Sequence, residues 1–575
     1  MSSLSARLGH DKLNKLVEKI EIVINTRMKG IDKVPSSVSI PERPKAGSLA
    51  ARELEAACIR AYFHQMHPIY PFLDRRSFEE RAFNPGLANM LANDKAWCAL
   101  YHAVLAIGSQ YCDGGSFEPG KGQAWDFFEV ALSLFPDLLL PRGSLMIVQA
   151  VTAMAIYALN VSCLQIEYVM VSEGARMAQA LGYHRVTGSS EGVCHRTFWV
   201  LYSLEKTTCF HAGRSSVLMD ADIGCPIPFV PEASFGNLDW FLAFARYSRL
   251  VSQIYNLLFS ISSTGNSAKV YYTRVDQLGE ELERWRMSIP EEFRPDEIFR
   301  ARALPEALGV AIALRLQYFY YNALLSLCRT TLHVSSEDNY GAVRQQESRR
   351  LLMKTARSIL ELTKYVEVET YTPLWILVVM PLSALFILFD LVVHNPTHPE
   401  TNNNLALLDV ASGHFSRLEY ASSGSLPGSL VAEFAHIARQ YVRDIQLAEY
   451  AKENSGAADM ATGGSTTPSG MSAMTPQRMD PATGFGINQA QFPLPSPPGG
   501  LFFPMIDDPN YMPDGGFPMG IDVMNLFDLA IPGLDPTFDS QALMAPPPPP
   551  LPPPRPPQQQ QQQQPTQASQ PQQGP

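Results

Sequence analysis

Apolar residues recur at steps of three and four along most of the chain between residues 50 and 453, which is the spacing of helices that bury one face. The first such segment, 52–65, ends before His67-Pro68 because the residue before a proline is driven out of the helical region. Gly182 directly follows 166–181 and is predicted as a left-handed helix cap. No run of alternating strands joined by hairpin turns is found, so we predict a large all-α domain over 50–453. Its further helices are predicted at 97–110, 124–135, 144–161, 166–181, 193–210, 247–263, 270–287, 305–331, 342–366 and 434–454.

The most apolar segment, 375–393, approaches the length of a membrane span. Pro381 lies in its middle, Asp390 lies near its end, and no basic cluster flanks it. A domain of this size has room for one such helix at its centre. We therefore expect a buried central helix and no association with a membrane.

The residues before the domain contain a short seam of the coiled-coil kind, with Lys and Glu outside it. Its apolar positions are Leu13, Leu16, Val17, Ile20, Val23 and Ile24. Two heptads are marginal in water on their own, so a dimer coil and a single helix docked on the main body both remain open. We predict a short coil-like dimerisation helix over 1–29, which implies a homo- or heterodimer partner. Because Pro35, Pro41 and Pro44 follow, residues 30–49 are predicted to be a linker.

The 575 residues carry a net charge of −11, so the chain has no overall attraction to nucleic acid. Its eight cysteines are scattered and include no CxxC pair, which favours reduced, mostly buried thiols over a disulfide framework or a zinc module. His64, His67 and His184 lack metal-ligand spacing and are better interpreted as structural. No Gly-x-Ser-x-Gly motif, phosphate loop or His-Glu-x-x-His motif is found, so an all-α enzyme is a remote alternative. We predict no catalytic residue, no cofactor and no metal site.

Three segments in a fixed order carry the strongest signal. Residues 195–228 read HRTFWVLYSLEKTTCFHAGRSSVLMDADIGCPIP, with a basic residue before Phe-Trp, a helix that runs to Gly-Arg, and an acidic turn that closes on Pro-x-Pro. Residues 62–73 read YFHQMHPIYPFL, and residues 173–185 read EGARMAQALGYHR. Together they resemble the fungus-specific regulatory domain (the middle homology region) of zinc-cluster transcription factors. Ser215 departs from the pattern, because the family usually has Pro after Gly-Arg.

The resemblance implies a nuclear regulator of RNA polymerase II transcription in a fungus, acting on a metabolic or secondary-metabolite gene set. Family members usually begin with six cysteines that hold two zinc ions, followed by a basic linker and a dimer coil. Here Met1 lies just before the coil-like helix, and no six-cysteine module precedes it. Either the gene sequence has lost a 5′ exon, or the protein is an adaptor or dominant-negative partner that reaches DNA by dimerising. DNA contact is therefore expected only if a missing zinc cluster or a partner supplies it.

The residues that carry the resemblance are expected to build the fold rather than a reactive site. Phe198 and Trp199 are predicted to lie on a buried helix face, and Gly213 is predicted to end that helix. Arg176 and Arg196 are expected to pair with acids at helix ends. The full set is Arg176, Gly182, His184, Arg196, Phe198, Trp199, Gly213, Arg214, Asp222 and Pro228.

After residue 453 the composition shifts to Ser, Gly, Thr, Pro and Met, and the chain ends in proline and glutamine runs. Such a segment buries too little apolar surface to offset the entropy of ordering it, so 454–575 is predicted to be a disordered tail. Within 500–540 every charged residue is Asp, and bulky apolar residues lie between the acids. This pattern favours an activation segment that folds on a coactivator over a solvated spacer. Its predicted contact residues are Phe502, Phe503, Ile506, Tyr511, Phe517, Val523, Leu526, Phe527 and Leu529.

Overall fold

The computed structural model describes residues 49–140, 143–161, 164–185, 192–263, 265–304, 306–334, 339–426, 428–461 and residue 574. The chain divides into two units, 1–529 and 530–575, and every helix described below lies in the first. The predicted dimerisation helix at 1–29 and the predicted activation segment at 500–540 lie outside the described residues. The same holds for the predicted linker as far as residue 48.

Fifteen α-helices make up most of the described part of the chain, and the prediction of an all-α fold is confirmed. In chain order they are α1 (Leu49–Ala61), α2 (Arg75–Ala82), α3 (Leu87–Asn93), α4 (Lys95–Gln110), α5 (Gln123–Leu139), α6 (Leu145–Asn160), α7 (Leu164–Ala180), α8 (Gly192–Ala212), α9 (Trp240–Ile254), α10 (Ala268–Met287), α11 (Glu306–His333), α12 (Asn339–Leu362), α13 (Met380–His394), α14 (Thr401–Ala421) and α15 (Ser429–Ala461).

Two short strands, β1 (Ser234–Phe235) and β2 (Leu238–Asp239), form an antiparallel hairpin just before α9. Its two-residue loop contains Gly236, which has a φ of 59°, and a tight hairpin turn of this kind requires such a conformation. The helix predicted at 247–263 starts earlier than predicted, at the beginning of α9. Asp239 fixes this start by accepting a hydrogen bond from the amide of Leu242 at 3.0 Å.

The segment predicted as a central helix begins as one π-helical turn, Trp375–Val379, and continues as α13. Within the described residues, the combined helix Trp375–His394 is the one that is long and apolar enough to cross a membrane, with a mean hydropathy of 2.7. Its most apolar stretch is 78% buried inside the domain. The prediction of a buried central helix is therefore confirmed.

A stack of aromatic rings joins the helices on either side of this segment. The ring of Phe319 on α11 lies 5.5 Å from that of Phe244 on α9, and 5.3 Å from that of Trp375. Tyr247 lies 4.4 Å from Phe319, and Trp240 lies 5.3 Å from Phe244, in both cases with nearly parallel ring planes. Stacked aromatic pairs at these separations gain energy beyond the burial of their surface. The stack therefore holds α9, α11 and the π-helical turn in one core.

Candidate functional site

The three segments that carry the sequence signal meet around α8. Thr197 donates its hydroxyl hydrogen to the carbonyl oxygen of Phe72 at 3.2 Å, which ties α8 to segment 62–73. Gly224 and Cys225 donate their amides to the carbonyl oxygen of His184 at 2.9 and 3.1 Å, which ties the loop after α8 to segment 173–185. Segment 195–228 is thus joined both to segment 173–185, which lies just before it, and to segment 62–73, which lies more than a hundred residues earlier in the sequence.

Helix α8 is buried on all sides over its middle turns. Every residue from Thr197 to Thr207 is buried, and Phe198 and Trp199 are both fully buried. Burial is thus not confined to the single helix face that the sequence predicts. The reason is that α6, α7 and α9 pack around α8 and the loop of residues 213–230, here called the return loop, folds back along it.

Glu205 holds the first part of the return loop. This carboxylate is fully buried on α8, and it accepts hydrogen bonds from the hydroxyl of Ser216 at 2.8 Å and from the amide of Val217 at 2.7 Å. Burial raises the pKa of Glu205, and these two hydrogen bonds oppose the rise. Burial also raises the pKa of the neighbouring Cys209 thiol, which makes this cysteine a poor nucleophile.

Lys206, the next residue on α8, holds the second part of the return loop. Its Nζ donates a hydrogen bond to the carbonyl oxygen of Leu218 at 2.6 Å and lies 3.2 Å from Oδ1 of Asp220. The hydroxyl of Tyr202 donates to the same Asp220 oxygen at 2.8 Å. Further along the return loop, Nε1 of Trp199 donates a hydrogen bond to the carbonyl oxygen of Pro226 at 3.0 Å. We call Tyr202, Glu205, Lys206 and Asp220 the latch, because their side chains fix the return loop to α8.

Two glycines of the signature set end helices by the same geometry. After α7, Gly182 has a φ of 78°, and the amide of Tyr183 bonds to the carbonyl oxygen of Ala178 at 3.1 Å. After α8, Gly213 has a φ of 61°, and the amide of Arg214 donates a hydrogen bond to the carbonyl oxygen of Cys209 at 2.9 Å. Both are left-handed caps that satisfy carbonyl groups at the helix ends. They start the two turns that lead into His184 and the return loop.

The charged residues of the signature set lie at the margin of this unit. Arg196 at the start of α8 lies 3.6 Å from the carboxylate of Glu232. Arg176 is exposed on α7 and lies 3.7 Å from the carboxylate of Glu173 on the same helix. The guanidinium of Arg214 lies over the ring of a tyrosine on α7 at 4.2 Å. Asp222 is exposed and Pro228 is half-buried. The structure therefore brings together the apolar and glycine members of the set, while its exposed acid and its proline lie at the surface of the return loop.

A second buried polar contact joins α7 to the far end of α8. Thr208 donates its hydroxyl hydrogen to the carboxylate of Glu167 at 2.6 Å, and burial raises the pKa of Glu167 to about 7. One turn further along α8, burial lowers the pKa of His211 to about 4, and its ring lies 5.4 Å from that of Trp375. Both shifts favour the uncharged side chain, as expected for groups removed from water.

Nothing in the described part of the chain is arranged to hold a metal ion. The described residues contain no group of three or more His, Cys, Asp and Glu side chains suited to a metal, and the described cysteines form no disulfide with one another. His67 is held instead by a hydrogen bond between its Nε2 and the carbonyl oxygen of Leu73 at 3.0 Å. The predicted activation residues from Phe502 to Leu529 lie outside the described residues.

Residues 59–287 match a domain described as the fungal specific transcription factor domain, and this is the stretch in which the three segments meet around α8. The chain carries a fungal specific transcription factor domain. The matched stretch ends with α10, but the helices of the domain continue beyond it, since Phe319 of α11 stacks with Phe244 of α9 and Trp375 stacks in turn with Phe319. The zinc cluster of the family is not part of the matched stretch.

Several proteins similar to this chain are named as transcription factors. An ABC-transporter-regulating transcription factor of Aspergillus oryzae is 25% identical over 450 residues, which cover 71% of this chain and 49% of the relative. A second protein of that description, from Aspergillus fumigatus, is 26% identical over 62% of this chain and 43% of its own. The fusaridione A cluster transcription factor fsdR of Fusarium heterosporum is 22% identical over 63% of this chain and 72% of its own. No solved structure shows a significant match.

The chain spans about half the length of the two Aspergillus relatives. The names of these relatives describe regulators of transcription. Sequence reasoning missed the latch, although one signal for it was available. Glu205 and Lys206 are adjacent charges inside an otherwise apolar or small helical stretch, and buried charges need partners. That pair predicts polar contacts to a covering segment.

Proposed function

We propose that this protein is a nuclear regulator of RNA polymerase II transcription in a fungus. Residues 50–453 form its regulatory domain, and 500–540 form its activating segment. The observation that carries the proposal is the match to the fungal specific transcription factor domain at 59–287, within which segments 62–73 and 173–185 are each hydrogen-bonded to segment 195–228. The buried polar side chains of α8 hold the backbone of the return loop in place. This role suits a domain that maintains a conformation rather than one that converts a substrate.

The target genes concern the export or synthesis of small molecules. Two relatives are named as regulators of ABC transporters, and a third is named for the fusaridione A gene cluster. Loss of the protein should therefore lower transcripts of transporter genes or of one biosynthetic cluster. Sequencing of RNA from a deletion strain and from the same strain with the gene restored tests this assignment. A deletion that changes neither gene class would contradict it.

The activating segment works through apolar side chains kept available by acids. If residues 522–530 fold as a short helix on a partner, Val523, Leu526, Phe527 and Ala530 share one face of it, and Asp522 and Asp528 lie elsewhere on its surface. An amphipathic helix of this kind binds an apolar groove on a partner by its i, i+3 and i+4 side chains. The proposed partners are therefore coactivators.

DNA contact comes from a zinc cluster outside these 575 residues or from a dimer partner joined through 1–29. The lysines and arginines near the N-terminus supply only non-specific attraction to phosphate, which is weak and sensitive to salt. The seam from Leu13 to Ile24 supplies the dimer contact. Crosslinking of the full chain with and without residues 1–29 tests the dimer, and equal yields would contradict it.

A reporter assay tests activation directly. Residues 500–540 fused to an unrelated DNA-binding domain should switch on the reporter, whereas the proline- and glutamine-rich residues 541–575 should not. If the fusion stays silent while a known acidic activator works in the same strain, the assignment of the tail is wrong. A fusion of 50–575 should be weaker than one of 454–575, because a regulatory domain holds activation in check.

A further inference from the structure

An exposed apolar residue lies on a loop whose backbone is held from inside the domain. Ile298 is 78% exposed and belongs to the loop between α10 and α11. Just before it, the buried side chain of Gln317 on α11 accepts a hydrogen bond from the amide of Asp296 at 3.0 Å and donates one to the carbonyl oxygen of Arg294 at 3.3 Å. Lys354 of α12 lies 2.7 Å from the carboxylate of Asp296. The loop therefore presents Ile298 to solvent in a defined position.

A second exposed apolar residue lies next to this loop. Met287, the last residue of α10, is 53% exposed, and its sulfur lies 3.4 Å from Nη2 of Arg286. The same guanidinium donates a hydrogen bond to the carbonyl oxygen of Pro295 at 3.1 Å and lies 3.5 Å from the carboxylate of Glu297. Arg286 thus joins the end of α10 to the residues that directly precede Ile298.

Three cations surround the loop on its other side. Phe299 packs against Tyr365, with ring centroids 4.7 Å apart, and the Nζ of Lys364 lies 4.9 Å from the centroid of the same tyrosine ring. Arg300 and Arg302 follow on the loop, and both are exposed, as is Lys364. The ring pair therefore brings the cation that follows α12 to the part of the loop that carries the two arginines.

These cations are not neutralised by the domain itself. Within the part of the chain that the structure describes, Arg300, Arg302 and Lys364 form no ion pair. Glu297 is paired with Arg286, and even with exposed Glu361 counted against them the cations are in excess. An apolar surface beside unpaired cations complements a segment that carries acids and large apolar side chains together. We call this surface the basic face and define it by Met287, Ile298, Phe299, Arg300, Arg302 and Lys364.

Residues 502–529 of the same chain have the complementary composition. Their charged residues are five aspartates, and large apolar residues such as Phe502, Tyr511 and Phe527 lie between these acids. The last helix of the domain, α15, ends at Ala461, so 40 residues connect it to Phe502. A connection of that length spans up to about 130 Å when extended, well beyond the diameter of a domain of this size.

We propose that the basic face binds residues 502–529 of its own chain. The aspartates contact the three cations, and the large apolar side chains pack on Ile298 and Met287. Because the segment is tethered, its effective concentration is about 1 mM, and a Kd of about 0.1 mM would keep roughly nine molecules in ten docked. The inference rests on the proposed function only in treating this segment as the activating one, since a docked segment is withheld from coactivators.

Limited proteolysis of the full chain by chymotrypsin measures how often the segment is docked. The protease cuts after Tyr511 and Phe527 inside the segment and after Phe485 outside it, and mass spectrometry follows each cut. A docked segment is cut only while it is released, so nine-in-ten docking makes the two inner cuts about tenfold slower than in a segment that is always free. The cut after Phe485 is the internal reference.

Charge reversal of the basic face should release the segment. In the triple variant Arg300→Glu, Arg302→Glu and Lys364→Glu, the inner cuts should become about tenfold faster relative to the reference. High salt should speed the inner cuts in the wild type, because it screens exposed charges, but not in this variant. Ile298→Ser keeps every charge and should speed them about threefold, since it removes apolar contact surface. The unfolding temperature should stay unchanged in both variants, because the four side chains are exposed.

The matched control reverses three exposed cations on α1 and α15, with the same change in net charge. Arg52→Glu, Arg60→Glu and Arg443→Glu together should leave the ratio of inner to reference cuts as in the wild type. Equal ratios in the wild type and in both triple variants would overturn the inference. Protection that disappears on dilution would also overturn it, since the bound segment would then come from a second copy.

The reporter assay with residues 500–540 separates this inference from the proposed function. A segment that is protected in the full chain but silent in the fusion would contradict its activating role and leave the docking intact. A segment that activates in the fusion but is cut equally fast in all variants would contradict the docking alone.

Discussion

Lys206 and Asp220 form an ion pair in which the two partners differ sharply in burial. The Nζ of Lys206 lies 3.2 Å from Oδ1 of Asp220, and the lysine side chain is 2% exposed while the aspartate side chain is 29% exposed. The ammonium is therefore the group that depends on the contact, because water cannot replace its partners. Through this pair and the carbonyl oxygen of Leu218, the return loop is tied to α8.

Lys206→Met should destabilise the protein by about 2–3 kcal/mol, since it leaves Asp220 and a buried carbonyl oxygen without their donor. The cost falls below that of a fully buried pair because Asp220 keeps access to water and retains the hydrogen bond from Tyr202. The midpoint of urea unfolding, followed by circular dichroism on the full chain, measures the loss.

Asp222→Asn is the matched control for the latch. Asp222 lies on the same loop, two residues after Asp220, but it is exposed and the structure shows no side-chain hydrogen bond to it. This substitution should change the unfolding free energy by less than about 0.5 kcal/mol. Equal losses in the two variants would mean that the loop as a whole, rather than the buried ammonium, is the source of the effect.

Gly182→Ala should destabilise the protein by about 1 kcal/mol for a purely conformational reason. A Cβ at this position would meet no atom within 4 Å, but the φ of 78° is unfavourable for alanine. Gly279→Ala on α10 is the control, because it also has open space around its Cβ and lies in ordinary helical conformation. That variant should be stabilised by about 0.5–1 kcal/mol. Thermal unfolding of both variants in parallel decides the sign, and a loss of stability in both would contradict the argument.

The helical fold could be predicted from the sequence because its helices have periodic apolar residues and end at recognisable capping or helix-breaking residues. Gly182 after 166–181 and the apolar stretch 375–393 led to a cap and a central helix that the structure contains. Helix α14 was missed although Leu405, Leu408, Phe415 and Leu418 are buried at helical spacing, because the three asparagines of its first turn obscure where it begins. The early start of α9 was missed because its first six residues are all apolar and show no period.

The site was harder to predict than the fold. The residues that carry the family resemblance were read from the chain, but what they contact depends on pairs such as Thr197 with Phe72, 125 residues apart. No local pattern encodes such a contact. The burial of Arg315 on α11 was equally hidden, because a single arginine in an apolar helix is expected to be exposed until the helices on every side of it are known.

Substitution of Leu526 and Phe527 by Ala should lower reporter activation by residues 500–540 by about tenfold, since the pair supplies the main apolar contacts of the proposed helix. Replacement of Thr537 and Ser540 by Ala in the same fusion is the control, and it should leave activation unchanged. Reporter activity is normalised to the amount of fusion protein on immunoblots. An equal loss in both fusions would argue against a specific apolar contact.

A carboxylic acid, Glu167, and an imidazole, His211, make the free energy of unfolding depend on pH in opposite directions. The folded protein keeps Glu167 protonated up to a pKa of about 7, whereas a carboxyl in the unfolded chain has its ordinary pKa of 4.5. Stability from this group is therefore present below pH 4.5 and lost between pH 4.5 and 7, by about 3 kcal/mol. His211 has a pKa of about 4 in the folded protein and its ordinary pKa of 6.5 in the unfolded chain, so its contribution to stability rises by a similar amount between pH 4 and 6.5.

The two contributions should nearly cancel in the wild type between pH 4.5 and 6.5, and single variants should expose each one. Glu167→Gln should become more stable relative to wild type as pH rises to 7, because only the rise from His211 remains. His211→Phe, which keeps a ring beside Trp375, should become less stable relative to wild type as pH rises from 4 to 6.5. Urea midpoints at pH 4.5, 5.5, 6.5 and 8 give the differences directly, and the shared contributions of all other groups subtract out. The urea midpoint of the double variant should change with pH in the same way as that of the wild type between pH 4.5 and 6.5. If instead each single variant runs parallel to the wild type, the two groups titrate normally and are not removed from water.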